Sequence, residues 1–525
     1  MIFKICSYIY IVVTIIVNYF SPVFAASTSC NLSLSKIIHQ YPYVQKYLGV
    51  YIVDLESSAG STGRAEVFSL NPDQLFIPAS LSKIVTTITA LKKLGTNYLF
   101  KTEVKYRGTM GGAETLPDTS PGTLHGDLYL IGKGDPSLVS EKLQRIVDQL
   151  YFLGLRKVQG DIIIDDSFFA QTESLRDVSD YSEYEERSNG EHPYNALASA
   201  LSFNFNSAAI HISTNPFTIH LDPVDTPYIK LTDAVELAAT NTNSSKKKFD
   251  ISVHQVKNND VNEEFKIVGS RALLPVGANT DHRLITFYRP VGNPTLYTGH
   301  IFKSLLEKNQ ITVSGTVKKL STPLTPKDLK ELKDLYTHHS EDLSHIIALA
   351  NRFSNNFMCE QLLLTMGAEL FGAPGTPGKG LRVISDLLDS IAFKNKNYQI
   401  VNGSGLTYRN QLSPRQIIQL LEYAHRDLSI YPEFLHSLAM PGAPGTLERW
   451  FPGNTRMHVI RAKTGSLSQK MLIHAISGYT STKSGRHLAF AIMINVPHHT
   501  KNAMHLFLQS KQIEEKILSA LANLP

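Results

Sequence analysis

From about Phe100 to Pro290 the chain reads almost wholly as strand, while both flanks mix helix with strand. Runs such as Glu103–Tyr106, Asp127–Ile131, Asp161–Ile164, Ala208–Ser213, Asp250–Val256 and Arg283–Tyr288 are broken by clusters of Gly, Pro, Asn and Asp. Before that stretch the sequence predicts a helix over Leu34–Tyr47 and strands over Leu48–Leu55 and Ala65–Leu70. A helix then opens at Ser80, with Leu81, Ile84, Val85, Ile88, Leu91 and Leu94 on one face. After the stretch come helical textures at Thr295–Lys308, Ser340–Met366 and Ser413–His425. Strands at His458–Lys463, Met471–Tyr479 and His487–Val496 follow as an antiparallel meander, and a helix over Lys501–Leu521 closes the chain. The pattern predicts one α/β domain made from both ends of the chain (residues 26–100 and 291–525), carrying a β-rich insertion over 101–290. Such an insertion is tolerated because loop-closure cost grows only slowly with length.

The first residues read as an address. Lys4, the apolar run Ile9–Val17 and the small residues around Val23-Phe24-Ala25 form a secretory signal peptide with cleavage expected after Ala25. The run is short for a membrane span, and no later segment is apolar for long enough. The expected mature protein is therefore exported, periplasmic and without an integral span. Of 525 residues, 42% are hydrophobic and 18% charged, enough for a core and too few charges for a disordered chain. Lys plus Arg number 51 against 46 Asp plus Glu, and the longest basic run is Lys246-Lys247-Lys248 in a polar loop. No nucleic-acid footprint results. Three cysteines exclude a disulfide scaffold and a Cys-rich metal site. Cys359 reads as a small buried side chain, and its distance in sequence from Cys30 gives no ground for pairing the two. The 19 histidines form no H-E-x-x-H, so no metal is expected, and no cofactor motif occurs.

Three short motifs carry chemistry. In Ser80-x-x-Lys83 the lysine lies one helical turn from the serine. A serine hydroxyl is a weak nucleophile until a base takes its proton, and a lysine serves as that base in its neutral form. Ser354-Asn355-Asn356 interrupts an apolar helix, an unfavourable place for Ser and Asn unless they act: Ser354 by relaying a proton, Asn356 by holding a peptide carbonyl. Lys463-Thr464-Gly465-Ser466 is expected at a strand end. There a strand edge would pair an extended peptide, Lys463 and Thr464 would meet a carboxylate, and Gly465 would admit the ligand. The N–H groups of Ser80 and Ser466 would form an oxyanion hole. Each motif alone reads equally as an ordinary cap, helix face or turn. Their order, S-x-x-K, S-x-N, K-T-G, each on the element its chemistry needs, is far more specific.

With a first gap of 354 − 80 = 274 residues and a second of 463 − 354 = 109, the set resembles the class C low-molecular-mass penicillin-binding proteins, the D-alanyl-D-alanine carboxypeptidase/endopeptidases of peptidase family S13. Gly126-Asp127-Leu128, Gly134-Asp135-Pro136, Gly160-Asp161, Asp165-Asp166-Ser167, Tyr194-Asn195-Ala196, Ala200-Leu201-Ser202, Gly403-Ser404-Gly405-Leu406 and Gly445-Thr446-Leu447 extend the resemblance over nearly the whole mature chain. It implies a transpeptidase/serine β-lactamase-like α/β (α+β) fold, an antiparallel sheet flanked by helices, whose insertion holds two nested subdomains. It implies Ser80 as acylated nucleophile, Lys83 as base, Ser354 as proton relay, Asn356 as substrate-orienting group, and Lys463 and Thr464 on the terminal carboxylate. The implied partners are peptidoglycan stem peptides, with β-lactams as covalent inhibitors. Two departures stand out. The middle residue of S-x-N is Asn355 where the family has Asp, and the pattern Asp-Gly-Ser-Gly-Leu-Ser-Arg becomes Asn402-Gly403-Ser404-Gly405-Leu406-Thr407-Tyr408, its arginine displaced to Arg409. Asp165 or Asp166 is a candidate for reading a substrate amine. The rival readings are a serine β-lactamase, which the long first gap opposes, and a catalytically idle peptidoglycan-binding protein, which intact motifs oppose.

Overall fold

A computed structural model describes residues 33–56, 65–111, 121–170, 193, 196–214, 216–238, 250–258, 261–272, 284–391, 393 and 397–525. The signal peptide, Cys30 and the Lys246–Lys248 run lie outside them. The chain forms two compact units, one made of residues up to 96, 347–355 and 384–525, the other of 97–346 and 356–383.

The first unit is built on a five-stranded antiparallel sheet, ordered Arg461–Leu467, Met471–Ser481, His487–Pro497, Leu48–Asp54, Ala65–Leu70. The two ends of the chain meet in it, with Leu48 opposite Ile494 and Asp54 opposite Leu488. Strand alternation separates its faces. Leu48, Val50 and Ile52 join Phe490, Ile492, Ile494 and Ile476 in one core, which Ile513, Ile517, Leu518 and Leu521 of the helix Ala503–Ala522 complete. The other face carries small residues, Gly49, Ala475, Ala489 and Ala491. A Cβ on Gly49 would stand 2.8 Å from Pro414 Cγ. That clearance lets the helix Pro414–Arg426 lie on the sheet, with the helix Ser82–Leu94 packed against it.

The second unit holds a seven-stranded sheet in which Thr123–Gly132 pairs with Leu99–Met110 and Ile162–Asp165, and two three-stranded sheets. Its helix Pro294–Lys308 buries Tyr297, Ile301, Phe302, Leu305 and Leu306 with Leu143, Ile146 and Leu150 of the helix Ser140–Phe152. Residues 291–346 and 356–383, expected with the C-terminal half, therefore belong to this unit. The insertion is larger than texture alone suggested because helical and strand segments share its core.

Most expected strands are present within a few residues. The helix Ser140–Phe152 and the strands Phe217–Asp222, Ile229–Ala238, Glu263–Ala272 and Lys333–Asp342 were not legible in the sequence. The expected helix over Ser340–Met366 is divided: strand runs to Asp342, helix over Leu343–Arg352, and a second helix over Asn356–Phe371.

Candidate active site

Ser80 lies in a single 3₁₀ turn, Ala79–Leu81, that leads into the helix Ser82–Leu94. Ala79 before it holds φ of +48°, a left-handed conformation rare outside glycine. Such strain persists where surrounding packing imposes it. Lys83 is fully buried and donates to Ser80 Oγ at 2.8 Å and to the Ser404 carbonyl at 2.6 Å. The serine and its neighbouring amine are thus in direct hydrogen-bond contact, the geometry proton transfer requires.

Ser354 does not lie within a helix. It sits in the break between two helices with φ of +56°, so the apolar periodicity that predicted continuity is interrupted by a left-handed residue. The turn aims its hydroxyl at Lys463, whose Nζ donates to Ser354 Oγ at 2.8 Å and to the Thr464 carbonyl at 2.7 Å. Asn356 is the first residue of the helix Asn356–Phe371, which belongs to the second unit. The structure therefore brings Ser80, Lys83, Ser354 and Lys463 into one unit and describes Asn356 with the other.

Lys463-Thr464-Gly465-Ser466 lies inside the strand Arg461–Leu467, not at its end as expected. That strand is the edge of the sheet, paired with Met471–Ser481 on one side. On its outer side Ala462 exchanges both backbone hydrogen bonds with Ala439, at 2.9 and 3.0 Å. Antiparallel alternation then turns the N–H and C=O groups of Thr464 and Ser466 to the same outer edge. Lys463 is fully buried, Thr464 half-buried and Ser466 exposed. Gly465 is required by closeness: a Cβ there would stand 3.0 Å from the Ser80 amide nitrogen and 2.8 Å from the Pro78 carbonyl oxygen. The K-T-G strand thus runs directly beside the serine turn.

The segment 402–410, which the sequence offered as part of the resemblance without a catalytic role, builds one wall of this site. Besides Ser404 on Lys83, the Gly403 carbonyl accepts from Thr86 Oγ1 at 2.7 Å, and Asn410 Nδ2 donates to Ser82 Oγ at 2.9 Å. Gly405, at φ of +79°, lies so near Ala79 that a Cβ would meet its carbonyl oxygen at 1.9 Å. The one available signal was the recurrence of glycine around a serine, which close backbone approach demands.

Asp165 and Asp166, in the second unit, are occupied internally. Asp165 Oδ1 accepts from the Ser167 amide, and Asp166 Oδ2 meets Thr295 Oγ1 at 2.5 Å and Lys319 Nζ at 2.8 Å. Among the described residues no group of three His, Cys, Asp or Glu could hold a metal ion, and no helix is long and apolar enough to cross a membrane.

Residues 30–511 match the D-Ala-D-Ala carboxypeptidase 3 (S13) family. The chain belongs to this family. It is 30% identical over 460 residues to the D-alanyl-D-alanine carboxypeptidase of Actinomadura sp. (strain R39), a match covering 85% of this chain and 77% of the relative. It is 22% identical to D-alanyl-D-alanine carboxypeptidase DacB of Haemophilus influenzae over 81% of each chain. The fold matches the crystal structure of penicillin binding protein 4 (dacB) from that organism with a TM-score of 0.69 at 20% identity, over 93% of this chain and 99% of the other. This S13 member is accordingly a serine hydrolase of the D-alanyl-D-alanine carboxypeptidase type with a transpeptidase/β-lactamase-like α/β fold.

Proposed function

We propose that the first unit is the catalytic one and that Ser80 carries the acyl group during cleavage of D-alanyl-D-alanine bonds in peptidoglycan stem peptides. The observation that carries this reading is the contact of buried Lys83 with Ser80 beside an edge strand whose Lys463 meets Ser354. Ser80 Oγ attacks the scissile carbonyl carbon as its proton passes to Lys83. The N–H groups of Ser80 and Ser466 hold the oxyanion. The C–N bond then breaks as the proton held by Lys83 is relayed through the Ser354 hydroxyl to the departing amine, leaving Lys83 neutral and Ser354 protonated. Water hydrolyses the resulting ester and frees Ser80. Lys463 and Thr464 bind the terminal carboxylate of a peptide laid along the strand edge, and Asn356, two residues along from Ser354, takes the orienting role its motif implies. The leaving group is D-alanine or a cross-linked partner peptide. The enzyme works after export to the periplasm with its signal peptide removed. β-Lactams acylate the same serine.

The test is intact-mass analysis after incubation with benzylpenicillin. A stable one-to-one adduct on the wild type, absent in Ser80→Ala, is expected. Rapid penicillin loss without an adduct would mean a β-lactamase. Intact penicillin with a folded, unmodified protein would refute the enzyme reading.

A further inference from the structure

Tyr408 replaces the arginine of the family pattern, and its side chain has a different task. Its hydroxyl accepts the backbone N–H groups of Gln469 and Lys470, both at 2.9 Å. Those two amides belong to residues 468–470, the turn that joins the K-T-G strand to its neighbour Met471–Ser481. A phenol oxygen has lone pairs for both amides, so a single atom closes the tip of the hairpin.

The same segment grips the other half of the site. Ser404 accepts from Lys83, Gly405 abuts Ala79, and Asn410 bonds Ser82. It is stiff in itself, because Asn402 Oδ1 accepts from the Gly405 amide at 3.0 Å and from Asn410 Nδ2 at 3.2 Å, while Asn410 Oδ1 takes the Val401 amide at 2.7 Å. Asn402, Ser404, Thr407 and Asn410 are all buried. One braced segment therefore holds the nucleophile's base at one end and the hairpin of Lys463 at the other.

We propose that Tyr408 is a positioning residue: through residues 402–410 it fixes the K-T-G strand relative to Ser80, setting where the oxyanion and carboxylate sites lie. This rests on the acyl-enzyme reading of Ser80. Loss of the hydroxyl lets the hairpin drift, and displacements near 1 Å at a reacting centre cost on the order of a hundredfold in rate.

The experiment compares full mature wild type with Tyr408→Phe, which keeps the ring and removes the acceptor. The second-order rate of acylation is measured with benzylpenicillin and with its methyl ester, which lacks the carboxylate, alongside the thermal midpoint. The expected result is a loss of about tenfold or more with benzylpenicillin, a smaller loss with the ester, and a midpoint within a few degrees of wild type. Unchanged acylation by Tyr408→Phe overturns the proposal. So does an equal loss with both compounds that tracks a large fall in midpoint, which would make the hydroxyl a brace of the fold only. A folded wild type that takes no penicillin refutes the Ser80 reading itself, and this inference with it.

Discussion

Lys83 and Lys463 are both withdrawn from water, and each ends on a serine hydroxyl. Amines are seldom buried without a specific partner, since the charged form is costly away from water. Removing the serines and removing the lysines should therefore differ. Ser80→Ala is expected to abolish the penicilloyl adduct while the fold survives. Lys463→Ala is expected to slow acylation on the order of a hundredfold or more, as loss of a preorganised electrostatic group does, read from the rate of adduct formation. Gly465→Ala places a methyl 3.0 Å from the Ser80 amide. Its acylation should fall by a similar factor with the sheet intact, and wild-type acylation by this variant would show that the strand and the serine turn give way easily. These side chains stood out in the sequence because the roles proposed for them, nucleophile, base and carboxylate-binding cation, each demand a residue type at a fixed spacing. The Ser404 carbonyl and the left-handed Ala79 were not legible, because backbone groups contribute through position and leave no residue signature.

At the scale of elements, the break at Ser354 shows how periodicity misleads. Apolar residues run through both flanking helices, so the pattern reads as one helix. The interruption comes from a single left-handed residue whose hydroxyl bonds Lys463. An L-residue in that conformation costs on the order of 1 kcal/mol relative to glycine. Ser354→Gly and Ser354→Ala should both lose the hydroxyl's contribution to acylation, yet the glycine variant should melt at the higher temperature, against glycine's usual ranking. An alanine variant that is equally stable would mean the turn relaxes. The strand Ile229–Ala238 was hidden for another reason: Ile229, Leu231 and Val235 alternate onto the core of the second unit, but Asp233 breaks the pattern midway, and parallel pairing to Glu263–Ala272 completes it.

At the scale of the whole molecule, each unit has a main core of its own among the described residues. In the first unit Phe490 is fully buried in the central strand of the sheet, and Phe490→Ala should cost about 3–5 kcal/mol in denaturant unfolding. In the second, Glu263 is wholly buried. Burial pushes its carboxyl above its ordinary value, although the amides of Gly292 and Asn293, the Tyr228 hydroxyl and the Gln255 side chain pull it down by less. A folded-state pKa raised above the unfolded one gives stability that is complete below the ordinary value of 4.5 and is lost as pH rises through the raised one. The thermal midpoint of the wild type should therefore fall more steeply across that rise than that of Glu263→Gln. Parallel curves would show that the carboxylate is fully accommodated as an anion. The two-ended origin of the first unit was legible because helix and strand texture brackets the middle. The reach of the second unit was not, because nothing local tells a helix such as Pro294–Lys308 which core it joins.

The pairing of Leu48–Asp54 with His487–Pro497 has a consequence in translation. Ser80 leaves the ribosome early, yet the strand that flanks its sheet partner is among the last to emerge. A nascent chain that already holds Ser80 has as yet no edge strand, no Lys463 and no closed sheet. Until His487–Pro497 is made the sheet cannot close, because that strand stands between Leu48–Asp54 and Met471–Ser481.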